Sequence, residues 1–293
     1  LDSILNLNGY YSKRFYLLLA QYKKMQKCKY DLIKLHKILS TPNSLQKLYS
    51  NFKSRVLDFS MNEINQNTEL KVEYEEISYG KITYLLPLIG LIIGIGAFGI
   101  NYILDIFKLP IYINSLILLI YFIGITGGLH LDGLADSCDG IFSYRSRERI
   151  LEIMKDPHIG TNGVIALIVA LLSKFVLYSY GGIKAIALSF IVGRLAIILS
   201  ASLGEYARDK GMAIAIIKYN DLKSFVKSLV VGLLIFSFFK EYIIYLGISL
   251  VFAYIIHRQI SKKLGGITGD TFGFLCEITE IFFLFVVILG GSL

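Results

Sequence analysis

From about residue 83 onward the chain is built from long apolar runs separated by short polar stretches, whereas the residues before it carry only short apolar groups at helical spacing. A run of about 17 to 25 apolar residues is long enough to cross a bilayer as a helix. Such runs lie near 84–104, 111–131, 160–178, 185–203 and 272–290. Residues Phe225 to His257 are too long for one untilted crossing and are interrupted by Lys240-Glu241, so they read as two short, tilted or partly re-entrant helices. The expected fold is an all-α, polytopic membrane bundle of about seven transmembrane helices.

The front of the chain follows a different pattern. Leu32, Leu35 and Leu39 recur at helical spacing among lysines, which fits either an amphipathic helix against anionic lipid headgroups or a solvated extension. Residues 1–58 read as a basic, helical or partly ordered extension, 59–80 as a polar linker, and 81–293 as the integral membrane domain. Charge sharpens this division: residues 1–58 hold 11 Lys+Arg against 3 Asp+Glu, and the rest of the chain balances at 19 against 19. Hydrophobic residues make up 55% of 293 and mean hydropathy is +0.60, so a lipid bilayer is the expected partner and nucleic acid is not. The oligomeric state is left open, a homo-oligomer included. Cys28, Cys138 and Cys276 have no C-x-x-C spacing and predict neither a disulfide framework nor a structural zinc.

Basic residues orient the bundle. With the N-terminal segment inside, inside loops carry Arg145, Arg147, Arg149 and Lys155, then Arg208, Lys210, Lys218, Lys223 and Lys227, then Arg258, Lys262 and Lys263, against Lys108, Lys184 and Lys240 outside. That bias predicts a multi-pass protein of the cell (inner) membrane with its chemistry facing the cytoplasm.

The chemistry is concentrated in Gly127-Gly128-Leu129-His130-Leu131-Asp132-Gly133-Leu134-Ala135-Asp136-Ser137-Cys138-Asp139. On a helix Asp136 and Asp139 fall within an arc of about 60° with Asp132. Three like charges on one face call for a cation or a proton among them, so the spacing predicts a divalent metal and a polyanionic substrate. His130, two residues ahead, points away from that face and reads as a hydrogen-bonding group more than a ligand.

A second glycine-rich segment, Leu264-Gly265-Gly266-Ile267-Thr268-Gly269-Asp270, stands at the mouth of the last span. Gly265, Gly266 and Gly269 would let backbone N–H groups approach phosphate, with Asp270 on the metal. Beyond it, Glu277 and Glu280 lie inside the span, where a carboxylate faces the protein interior, to act on substrate or to rest in a salt bridge. Arg194 is roughly 13 Å deep, too far to snorkel, and reads as an ion-pair or phosphate-contacting residue. Lys174, nearer the outer rim, reads as snorkelling. Ser146 can cap a short surface helix, and Lys155-Asp156-Pro157-His158 leads to the N-terminus of the next span, where a phosphate could dock.

Thr126 to Gly140, Ile153 to Gly163 and Leu264 to Gly273 resemble, in order and spacing, the three signature blocks of the cobalamin synthase (adenosylcobinamide-GDP ribazoletransferase) family. The family's short opening segment is replaced here by Val56-Leu57-Asp58-Phe59-Ser60-Met61. The resemblance implies a membrane enzyme that transfers the cobinamide-phosphate moiety of adenosylcobinamide-GDP to alpha-ribazole or its 5'-phosphate, releases GMP and uses Mg2+. It implies magnesium on Asp132, Asp136, Asp139 and Asp270, a base at Asp139 or Asp156, and charge stabilisation by Arg194 with Arg145 or Arg149. Gly127, Gly128, His130, Lys155, Gly265, Gly266, Gly269, Glu277 and Glu280 would then contact substrate.

Two alternatives stand beside it. Asp136-Ser137-Cys138-Asp139-Gly140 matches the opening of a CDP-alcohol phosphotransferase motif, whose second half is missing here. A cation-coupled transporter would use Asp270, Glu277, Glu280 and Arg194 as an ion path, but the acidic groups cluster at one membrane face and no inverted repeat is seen.

Overall fold

The computed structural model describes residues 2–23, 28–42, 45, 49–74, 83–208 and 213–291. Lys210 and the end of the expected linker, 75–80, lie outside the described residues. Among those described no strand forms, and the chain divides into two compact units, 1–77 and 78–293.

The first unit has its own core. Helices α1 (Tyr10–Ala20) and α2 (Leu32–Leu39) and a rod ending in α3 (Phe59–Asn67) enclose Phe15, Tyr16, Leu35, Leu39, Phe52, Val56, Met61 and Ile64. Asp31 starts α2 by accepting the N–H groups of Ile33 and Lys34. Glu63 on α3 accepts the N–H groups of Asn8 and Gly9 just ahead of α1. The described residues of the expected extension and linker, up to 74, therefore form one folded unit, and Leu35 and Leu39 belong to its interior instead of a lipid-facing stripe. The segment 56–61 lies in the same rod.

The second unit is a helical bundle: α4 (Leu86–Ile106), α5 (Ile111–Thr126), α6 (Leu129–Ile141), α7 (Arg147–Ile153), α8 (Thr161–Tyr180), α9 (Gly182–Leu203), α10 (Ala213–Tyr219), α11 (Leu222–Phe236), α12 (Ile243–Leu264) and α13 (Gly269–Leu289). Among the described residues five segments are long and apolar enough to cross a membrane, and six if α5 and α6 count as one broken span. The expected count of about seven is not confirmed. The 15 residues of α11 rise only about 22 Å, short of a hydrocarbon core of about 30 Å.

Helix α9 is the bundle's axis and is buried almost throughout. Gly90 and Gly94, one turn apart on α4, let that helix lie directly against it: a Cβ at Gly90 would meet the Phe190 carbonyl oxygen at 2.5 Å, and one at Gly94 the Ala187 carbonyl oxygen at 2.9 Å. Beside this contact lies a set of buried charges. Lys174 on α8 places Nζ 2.7 Å from both Glu277 Oε2 and Glu280 Oε2 of α13, and 3.6 Å from the centre of the Phe122 ring. Arg194 on α9 pairs with Glu280 Oε1 and donates to the Phe190 carbonyl.

Lys174 thus does not snorkel; its side chain is 0% exposed. The set holds two acids and two bases, which is why these charges tolerate burial. Replacing Lys174 with Met should leave an uncompensated carboxylate and lower stability by about 3–5 kcal/mol. Thermal unfolding in detergent measures this, and an unchanged melting temperature would contradict the pairing.

Candidate active site

The Gly127-Gly128 pair builds the corner that presents the carboxylates. Both glycines have left-handed φ, +60° and +68°, and α5 and α6 meet there at 87°. Helix α6 then lies against the first turns of α13. A Cβ at Gly133 would meet the Asp270 carbonyl oxygen at 2.6 Å, and one at Gly273 the His130 carbonyl oxygen at 2.8 Å. Two glycines facing each other bring Asp136, next to Asp132 on α6, within electrostatic reach of Asp270.

The aspartates of α6 share a face but not a fate. Asp132 is exposed and Asp136 half-buried. The negative charges of Asp132, Asp270 and Asp139 all bear on Asp136, and Arg208 offsets them. Asp139 is engaged elsewhere: its Oδ2 accepts the N–H of Gly160 and its Oδ1 that of Gly163, each at 2.7 Å. It fastens the start of α8, where the helix's unpaired N–H groups favour a carboxylate. A Cβ at Gly160 or Gly163 would collide with that carboxylate at 2.5 or 2.4 Å.

Asp156 is no stronger as a base. It is exposed, and the N–H and ring of His158 hold its carboxyl below the usual carboxylate range. Glu277, Glu280 and Arg194 serve the interior network and do not face the cleft. Arg149 pairs with Glu152, and Arg145 and Lys155 are exposed. His130 is close enough to the interior network for Arg194, Glu280 and Lys174 to influence its ring.

The second glycine-rich segment is a clasp. Glu205–Ala207, just after α9, pairs with Ile267 through Ile267 N–H to the Glu205 carbonyl at 2.8 Å and Ala207 N–H to the Ile267 carbonyl at 2.9 Å. Gly266, at φ +144°, allows it: a Cβ there would meet the Glu205 carbonyl oxygen at 2.6 Å. Gly265 ends α12 in a left-handed turn. Gly269 opens α13 behind Thr268, whose hydroxyl accepts the Thr271 N–H. These glycines shape the backbone; Arg208, delivered by the clasp, supplies the charge. Arg208 Nη2 lies 2.9 Å from Asp270 Oδ2. From the sequence alone Arg208 is only a loop charge, because its nearness to Asp270 depends on pairing between segments some 60 residues apart.

Among the described residues no group of three or more His, Cys, Asp or Glu is arranged to hold a metal ion by itself. Asp132, Asp136 and Asp270 remain as hard oxygen donors of the kind magnesium takes. Magnesium commonly uses one or two carboxylates together with waters and substrate phosphates. The residues fit an ion that arrives with a phosphorylated substrate; they do not form a closed cage.

A family profile described as cobalamin-5-phosphate synthase matches residues 63–288. A shorter match, to a profile described as initiator Rep protein, WH2, covers residues 31–85. The chain is 38% identical to the adenosylcobinamide-GDP ribazoletransferase of Clostridium acetobutylicum over 75% of its own length and 91% of that protein. It is 41% identical to the protein of the same name from Alkaliphilus oremlandii over 72% and 87%, and 34% identical to that of Clostridium botulinum strain Kyoto over 84% and 100%. No solved structure matches.

The Asp139 bonds generate a test of position against chemistry. Asp139→Ala should cost about 1–2 kcal/mol, the scale of a lost helix cap, and Asp139→Asn less. Hydrogen exchange should quicken at residues 160–163 in the Ala variant, and unchanged exchange there would dissociate Asp139 from the start of α8.

Proposed function

The chain belongs to the cobalamin-5-phosphate synthase family, and we propose from that premise that the cleft between α6 and the start of α13 is where its transfer reaction occurs. The reaction joins the cobinamide-phosphate moiety of adenosylcobinamide-GDP to alpha-ribazole or alpha-ribazole 5'-phosphate and releases GMP. The observation that carries the assignment is the meeting of Asp132 and Asp136 with Asp270 and Arg208 at the Gly133–Gly273 crossing.

In the transfer, a ribose hydroxyl attacks the phosphorus attached to cobinamide. A phosphorus–oxygen bond forms to the ribazole, the bond to GMP breaks, and the hydroxyl proton leaves to a base. Asp136 is our choice for that base. Asp139 has a helix N–H on each oxygen, and Asp156 is turned to His158. Asp136 stands half-buried among like charges, a setting that accommodates a proton or a cation. Bound magnesium would supply charge neutralisation for the diphosphate, with Asp132, Asp136 and Asp270 as its protein donors.

The site belongs on the cytoplasmic side of the inner membrane. Arg145, Arg147, Arg149, Lys155, Lys262 and Lys263 all lie in the segments that adjoin it, which is the side that positive charge favours. Asp136→Asn should cut GMP release at least about a hundredfold, the scale of lost acid–base catalysis, with an unaltered melting temperature. Wild-type turnover by that variant would move the chemistry to another residue.

A further inference from the structure

Two arginines enter the clasp around Ile267, and they are held in opposite ways. Arg147 is satisfied by the backbone: its Nε donates to the Leu264 carbonyl at 2.6 Å and its Nη2 to the Ala207 carbonyl at 3.3 Å. That is how a guanidinium behaves when it holds structure together. Arg208 touches Asp270 through Nη2 and one carboxylate oxygen, with a long contact of 3.5 Å from the same nitrogen to the Met154 carbonyl. The Tyr206 side chain also hydrogen-bonds the guanidinium, while its Nε is fully buried and has no hydrogen-bond partner among the described residues.

A structural arginine–aspartate pair gains most from two parallel bonds, and a buried donor without an acceptor is costly. Neither condition is met at Arg208, although its charge reaches both Asp270 and Asp136. The donors left over match the acceptors of a diphosphate, which offers oxygens in the spacing a guanidinium fork engages.

We propose that Arg208 binds the diphosphate of the nucleoside diphosphate ester, and that Asp270 holds it in position through one nitrogen and competes with the phosphate for it. This rests on the placing of the transfer reaction at the α6–α13 cleft. Arg208 acts on the diphosphate oxygens directly, and the clasp through Gly266 and Ile267 fixes where it stands.

The test uses the full chain in detergent, with GDP and inorganic pyrophosphate as probes in titration calorimetry under metal-free conditions, and KM and kcat for adenosylcobinamide-GDP measured separately. Arg208→Gln should weaken GDP binding about tenfold or more and raise KM in parallel. Arg208→Lys, which keeps the charge and loses the fork, should fall between the two and serves if the Gln variant does not fold. Asp270→Asn should tighten pyrophosphate binding by removing the competing carboxylate, an effect that a merely structural pair would not show. Wild-type GDP affinity in the folded Arg208 variants would overturn the proposal, as would weaker pyrophosphate binding in Asp270→Asn. Failure of the underlying reading looks different: Asp136→Asn would release GMP from adenosylcobinamide-GDP at the unsubstituted rate.

Discussion

The pairing of Lys174 and Arg194 with Glu277 and Glu280 is the constraint on which the rest of the bundle turns. Charges this deep are tolerated only in company, so the three helices that carry them have little freedom to slide past one another. Those helices are α8, α9 and α13, and their ends on one side of the bundle supply the site. Helix α8 begins at the residues that receive Asp139, α9 runs into the strand-like stretch ending at Arg208, and α13 opens with Asp270. An ion network in the interior therefore sets the register of groups outside it. Such a network adds little net stability compared with an apolar core, and its value here lies in the alignment.

Helix periodicity assigns Asp132, Asp136 and Asp139 to one face, and neighbours then divide them. Asp139 meets the N-terminus of α8 and becomes an anchor. Asp136 meets the first turn of α13 across two facing glycines, and Asp132 stays open to solvent. A carboxylate with both oxygens on helix N–H groups has less to offer a metal or a proton than one surrounded by other carboxylates. Asp132 and Asp136 are accordingly left for the chemistry because Asp139 is not.

Much of this was legible in the chain. The apolar runs near 84–104, 160–178, 185–203 and 272–290 place four of the five long spans, and the 3.6-residue repeat places the aspartates on one face of α6, since both depend on local pattern alone; the fifth span, Lys240–Leu264, replaces the second of the two short helices expected between Phe225 and His257, and the run 111–131 is broken at Gly127-Gly128. What depends on distant pairing was not legible. Lys174 looked able to snorkel because a sequence does not reveal that two glutamates about 100 residues later occupy the same depth. Arg208 looked like an ordinary loop charge until the Tyr206–Ile267 pairing placed it beside Asp270. The amphipathic spacing of Leu32, Leu35 and Leu39 suits a lipid surface and a protein core equally, and only the presence of Phe15, Phe52 and Ile64 around it decides between them. Residues before 63 fall outside the cobalamin-5-phosphate synthase match, which begins within the first unit.

The contrast between satisfied and unsatisfied groups carries the argument furthest. Around the clasp, Arg147 and the Thr268–Thr271 pair have their hydrogen bonds met by the protein itself, and they hold the backbone where it is. The Nε of Arg208 has no such partner among the described residues, and Asp136 stands half-buried among other carboxylates. On the proposed reading, carboxylates and a guanidinium at a narrow crossing suit a ligand that is both anionic and metal-bridged: the carboxylates would take the cation and the guanidinium the phosphate. A site completed by the protein alone would bind its own groups as tightly as the substrate and gain nothing at the transition state. The open geometry of the carboxylates is thus what a diphosphate transfer calls for, and it follows from the same glycines that let α6 and α13 approach.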